Sequence, residues 1–195
     1  AAGSQTLRLE VVSPGWNINW MRFTSLSGMF FPAGSGIINV RDHGAVGDGV
    51  ADDTQAIRNS IYAASAGVGK LVYLPDGTYK VSDTINWATP YERYLTLQGQ
   101  SKNGTVIKLV DNAAAFQSTA SPKAVLSTLR SSSNLFDSFR NYIRNLTVDV
   151  GQGNAGAVGI DYLSNNAGGI YDVDIRSSDV ALIGHCGLRM PMAGP

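Results

Sequence analysis

Cys186 is the only cysteine in this 195-residue chain, so no internal disulfide can staple it. Histidine is nearly as scarce, at two residues, which removes the Cys/His sets that build zinc sites. No metal and no cofactor is expected. Charge is thin, at 15% of residues against about 25% in ordinary soluble domains. It is also balanced, with 15 basic and 15 acidic side chains. That leaves no basic footprint for nucleic acid and no polybasic stretch for an anionic membrane. No apolar run approaches the roughly 18 residues of a membrane helix. No signal peptide opens the chain. Its start at Ala1-Ala-Gly-Ser and its finish at Met192-Ala-Gly-Pro lead us to expect an internal piece, with a longer protein continuing on both sides.

What the chain does have is glycine, 22 residues of it, among many Val, Ile, Thr, Ser and Asn. That mixture favours short strands joined by tight turns. Three zones follow. In residues 1–24, Thr6–Val12 and Trp16–Phe23 alternate as strands about a Ser13-Pro-Gly15 turn. A lone hairpin is marginal in water, so this one needs a further sheet to pair with. Residues 25–36 read as a linker. From Ile37 onward the third zone runs to residue 195.

The third zone opens with a short strand at Ile37–Val40 and a tight turn at Gly47-Asp-Gly49. A helix then runs from Asp52 or Asp53 to about Ala66. Asp52 and Gln55 fit a capping box, Ile57, Ile61 and Ala64 form an apolar stripe, and Gly67 and Gly69 end it. Further strands are expected at Lys70–Leu74, Thr78–Ser82, Tyr94–Gln98, Thr105–Leu109, Ala124–Ser127, Tyr142–Val150, Val158–Tyr162, Ile170–Ile175 and Val180–Ile183. Ile143–Asp149 is echoed 27 residues later by Ile170–Arg176. Such a period marks a repeat whose units bury their apolar faces only by stacking. It sets Leu146 over Val173 and Val148 over Ile175, facing inward, with Asn145 over Asp172 and Thr147 over Asp174, facing outward.

The run Asn39–Ile57, with its Asp-His-Gly-Ala-Val-Gly-Asp-Gly core, and then Val72-Tyr-Leu-Pro-Asp-Gly-Thr-Tyr79, resemble the N-terminal signature of the pectate-lyase-like superfamily. That group includes relatives of glycoside hydrolase families 28 and 55 and also phage tailspikes. Phe139–Val150 and Gly156–Asp161 look like the bacterial branch related to family 28 or family 55 enzymes. The resemblance spans about residues 37–180. It implies a mainly β fold: the N-terminal part of a right-handed single-stranded parallel β-helix with one capping α-helix. Gly3–Leu9 and Gly15–Trp20 resemble the last strands of a family 6 carbohydrate-binding module, where the Asn matching Asn17 contacts sugar.

Candidate chemistry is sparse. Asp48, Asp52 and Asp53 lack the alternating oxygens and closing Glu of a calcium loop, and read as turn and cap residues. Gly44–Gly49 lacks the Lys-Ser/Thr ending of a phosphate loop. Glycoside hydrolysis needs two carboxyl groups flanking the bond. Asp172 and Asp174 share one strand face and are the weak catalytic candidates, though a solvated outer face is the simpler explanation of them. Trp16 is a sugar-stacking candidate, beside Asn17 as a sugar ligand. By the resemblance, this is a fragment of a secreted, extracellular polysaccharide-degrading protein. A glycoside hydrolase on β-glucan or pectin-type polymers is expected, with its catalytic residues beyond the chain. A polysaccharide lyase and a non-catalytic glycan-binding tailspike or adhesin are the alternatives.

Overall fold

The computed structural model describes residues 35–65, 71–86, 94–129 and 138–190. The hairpin of the first zone, with Trp16 and Asn17, and the linker up to residue 34 lie outside the described residues, as do Gly67 and Gly69. Within them the chain winds through five coils. The first holds β1 (Ile37–Asn39) and β2 (Asp48–Asp52), followed by α1 (Thr54–Ser65). The second holds β3 (Leu71–Leu74), β4 (Gly77–Val81) and β5 (Ile85–Asn86). The third holds β6 (Thr96–Gly99), β7 (Thr105–Leu109) and β8 (Lys123–Ser127). The fourth is β9 (Phe139–Asp149) and β10 (Ala157–Asp161), and the fifth is β11 (Asn165–Arg176) and β12 (Cys186–Arg189).

Every strand pairing is parallel, each coil lying on the one before. This is the parallel β-helix that the pectate-lyase-like resemblance implied. Three columns of side chains fill its bore. Ile38, Val72, Leu97, Ile143 and Ile170 stack on the first face. Tyr79, Ile107, Val148 and Ile175 stack on the second. Ile85, Leu126, Ile160 and Leu188 stack on the third. The middle members are fully buried, each contributing about 1.5–3 kcal/mol by leaving water.

The corner between the first and second faces explains why β9 and β11 are long. Asn145 and Asp172 stand there with φ of 51° and 52°, a left-handed conformation that Asn and Asp tolerate better than other side chains. One strand therefore bends and serves two faces. The 27-residue echo is confirmed by the register, with Leu146 on Val173, Thr147 on Asp174 and Val148 on Ile175. Close stacking also dictates glycine at position 77, where a Cβ would come within 2.6 Å of the Gly47 carbonyl oxygen.

Helix α1 closes one end of the bore. Ile57, Ile61 and Ala64 are buried where the helix packs on β1, β3, β4 and β5. Its cap differs from the capping box. Asp52 does accept from the Thr54 N–H at 3.0 Å. Gln55, however, sits one position too early to reach back, and its amide bonds Asn59 at 2.8 Å. Asp53 turns its buried carboxylate to the preceding turn, accepting from the N–H groups of Val46 at 2.7 Å and Gly47 at 3.0 Å.

Three further expectations need correction. Gly47 and Gly49 are both left-handed, but Asp48 starts β2 rather than lying in an isolated turn. Val180–Ile183 is not a strand. Asp179 accepts from the Ala181 N–H at 2.7 Å and Leu182 adopts φ 55°, so the segment turns, and the strand that stacks on β10 is β12. Thr147 lies on the outer side but is only 2% exposed, because the loop carrying Lys102 covers it and Thr147 Oγ1 donates to the Lys102 carbonyl at 2.8 Å.

Candidate functional site

The outer surface of the fourth and fifth coils carries two constellations. The first holds the acids singled out in the sequence. Asp172 and Asp174 converge on one ammonium, with Lys102 Nζ 3.2 Å from Asp172 Oδ1 and 3.8 Å from Asp174 Oδ1. The hydrogen bond to Asp172, and then the charges of Asp172 and Asp174, hold the Lys102 pKa above its usual value. Both carboxylates are more than half exposed, so the pairing adds little to stability. It does occupy the two acids with a cation. A glycosidase needs two carboxyl groups free to flank the scissile bond, and these two are both turned to Lys102.

The second constellation lies on the first face, built from outward positions of β9 and β11. Arg144 is in register with Tyr171, and Tyr142 with Gly169. The guanidinium carbon of Arg144 is 4.8 Å from the Tyr142 ring centre and 5.0 Å from that of Tyr171. The two rings stack at 6.3 Å with 24° between their planes. Gly169 makes this possible. A Cβ there would fall 2.6–2.7 Å from Tyr171 ring and hydroxyl atoms, so the ring lies back along its own strand only because residue 169 has no side chain. Nearby, Arg140 stands 5.6 Å from the Tyr94 ring.

Cation–π contacts within about 6 Å fix a guanidinium in place without neutralising it. Arg144 has no ion pair among the described residues, and its Nε is buried with no hydrogen-bond partner. A buried donor without a partner calls for an explanation. The arrangement offers an oriented charged fork suited to carboxylates, flanked by two phenols that can donate or accept. The sequence did carry a signal for it. Arg140, Tyr142 and Arg144 alternate along one strand face, and the 27-residue echo sets Tyr171 over Arg144. Among the described residues no group of three or more His, Cys, Asp or Glu could hold a metal ion.

Residues 37–193 match the family model described as rhamnogalacturonase A/epimerase, pectate lyase-like. The chain belongs to that family. Its curated relatives include mannuronan C5-epimerase AlgE6 of Azotobacter vinelandii, 48% identical over 82 residues, 39% of this chain and 9% of that protein. Alginate lyase 7 of the same organism is 45% identical over 76 residues, 37% of this chain and 9% of the lyase. Plasmin and fibronectin-binding protein A of Streptococcus pneumoniae is 42% identical over 72 residues, 36% of this chain and 10% of that protein. The chain thus spans about a tenth of the length of these relatives. Among solved structures, the A-module of the Azotobacter vinelandii mannuronan C-5 epimerase AlgE4 superposes with a TM-score of 0.53 at 25% identity, over 78% of this chain and 41% of the module. Pectate-lyase-like family members and polysaccharide-active relatives therefore surround this chain. No helix among the described residues is long and apolar enough to cross a membrane.

Proposed function

We propose that this chain is the opening part of an extracellular polysaccharide-acting protein, and that the outer face of β9 and β11 seats an acidic glycan, a polyuronate. The observation that carries this reading is Arg144, held against the stacked rings of Tyr142 and Tyr171 and without an ion pair among the described residues. A uronate carboxylate is the planar anion that such a fork recognises. Elimination at a uronate and inversion of its C5 both begin by removing the proton next to that carboxylate. A cation on the carboxylate stabilises the charge that develops, and a neighbouring phenol can take part in moving the proton.

Relatives named as epimerases and a lyase support this direction over hydrolysis. So does the engagement of Asp172 and Asp174 by Lys102, which leaves the glycoside hydrolase reading resting on resemblance. The upstream segment with Trp16 and Asn17 is assigned a separate sugar-binding role, again on resemblance.

The test is binding of alginate and polygalacturonate against neutral laminarin, with turnover followed by unsaturated-product absorbance and by exchange of H5 in D2O. Acidic glycans bind in a salt-sensitive way, and Arg144→Ala weakens them about tenfold. Gly169→Ala displaces the Tyr171 ring and weakens them about threefold. Laminarin binding as well as the polyuronates would overturn the reading. Binding without turnover leaves the site in place and moves the catalytic groups elsewhere in the parent protein.

A further inference from the structure

The turn between β6 and β7, residues 100–104, holds chemistry of its own. Asn103-Gly104 is the only Asn-Gly pair in the sequence. Asn103 stands exposed on the turn, and its side-chain amide makes no hydrogen bond among the described residues. The Thr105 N–H closes the turn on the Ser101 carbonyl at 2.9 Å. The backbone nitrogen that follows Asn103 begins a chain of hydrogen bonds. Gly104 N–H donates to Ser101 Oγ at 3.0 Å, and Ser101 Oγ donates to Asp76 Oδ1 at 2.8 Å.

The coil below fixes that chain in place. Arg41 donates to the Asp76 carbonyl at 3.0 Å, and Thr105 Oγ1 donates to the same Asp76 oxygen as Ser101, at 3.1 Å. The Gly104 carbonyl accepts from the Gly77 N–H at 2.8 Å. Glycine follows Asn in many turns because the turn needs a positive φ, but Gly104 is not left-handed. Packing dictates it instead. A Cβ at residue 104 would fall 2.4–2.6 Å from the carboxyl atoms of Asp76. The contact that brings a carboxylate to this turn thus also demands the one residue that leaves the nitrogen unhindered.

We propose that Asn103 is a self-modification site, which loses ammonia with Ser101 and Asp76 relaying the proton. Gly104 N attacks Asn103 Cγ. Its proton passes to Ser101 Oγ while the Ser101 proton passes to Asp76, a general base acting through a hydroxyl. The bond from Cγ to the amide nitrogen then breaks, and that nitrogen takes a proton back along the relay and leaves as ammonia. Water opens the resulting five-membered imide. Opening at Cγ gives aspartate, and opening at the backbone carbonyl gives isoaspartate, with no oxidant or reductant consumed. Either product puts a new carboxylate next to Lys102, the cation that holds Asp172 and Asp174, a change of charge that weakens their claim on it. Isoaspartate also lengthens the backbone of the loop that covers Thr147. This goes beyond the function proposed above and needs no bound glycan.

The experiment holds the intact chain at neutral pH, folded in buffer and unfolded in guanidinium chloride, and follows residue 103 by peptide mass mapping that resolves the two isomers. The folded chain gains the amide-to-acid mass at Asn103 about tenfold faster than the unfolded one, less than an enzyme's general base supplies. Ser101→Ala, shown by circular dichroism to be folded, falls to the unfolded rate, and Ser101→Thr, which keeps the hydroxyl, stays near the parent rate. The parent comparison needs no variant, and it decides the matter if Ser101→Ala fails to fold. A folded parent chain that converts no faster than the unfolded one, or a folded Ser101→Ala that converts at the parent rate, would overturn the proposal.

Discussion

The first and last described coils are built from similar inward-facing residues and come out differently. At the helical end, α1 covers the bore, and Ile57, Ile61 and Val40 are fully buried. At the other end, Leu188 stands directly above the fully buried Ile160 in one column and is 44% exposed. Val180 and Leu182 beside it are 99% and 76% exposed. In a solenoid a residue is core or surface according to what stacks on it, since each coil contacts only its neighbours. The consequence reaches the site. Tyr142 and Arg144 stand on the well-buried β9, whereas Tyr171 stands on β11, whose inward residues Ile170, Val173 and Ile175 are only partly buried. The ring that completes the cluster therefore sits on the coil with the fewest buried neighbours, where local opening is least costly.

The largest expected effect puts the two ends against each other directly. Ile61→Ala removes a fully buried side chain from the cap and is expected to cost about 3 kcal/mol, the middle of the range for such truncations. Leu188→Ala removes a side chain that already sees water, and is expected to cost under about 1 kcal/mol. Urea denaturation of both variants beside the parent chain measures the contrast. Equal losses would mean that the last coil is as well packed as the first.

A smaller effect belongs to the capped end alone. Burial works against the charge of Asp83, but hydrogen bonds from Lys123 and Arg58 outweigh it and bring its pKa to about 2, from an ordinary 3.8. A carboxylate whose pKa is depressed by folding adds stability above the unfolded value and loses it as pH falls through the folded one. The window is therefore pH 4 down to pH 2. The side chain is 42% exposed, so after screening the gain is about 0.5–1 kcal/mol. Asp83→Asn is expected to be less stable by that amount at pH 7 and to match the parent chain near pH 2. A difference that persists unchanged to pH 2 would assign the loss to packing instead of charge.

The sequence made α1 legible because its cues were local: acids at the start and an apolar stripe at helical spacing. It made the two-coil echo legible because β9 and β11 are 27 residues apart. The other coils could not be read as a repeat. At one first-face position, Ile37, Leu71, Thr96, Tyr142 and Gly169 are stacked partners separated by 34, 25, 46 and 27 residues. Excursions between coils set those spacings, and a period exists in space without existing in the chain. The same problem hid β12. Val180–Ile183 has strand composition, but register with Ala157–Asp161 selects Cys186–Arg189. Acids and tryptophans drew attention in the candidate site because they carry chemistry singly. Arg144 became a candidate only through two tyrosines, one of them on the next coil, and through a glycine that makes room for the second ring.

The smallest effect probes the open end without touching its core column. Leu182 combines 76% exposure with φ 55°, a conformation unfavourable for leucine and tolerated by asparagine. Leu182→Asn removes little burial and relieves backbone strain, so stability is expected to hold or rise by up to about 0.5 kcal/mol. Association is expected to change more. Among the described residues β11 and β12 each have a free edge, and apolar side chains beside an unpaired strand edge invite other chains to add. The parent chain should show a sedimenting mass that grows with concentration, and Leu182→Asn should shift that growth to higher concentration. A parent chain that sediments as a monomer throughout would show that exposure at this end lowers stability without making the end adhesive.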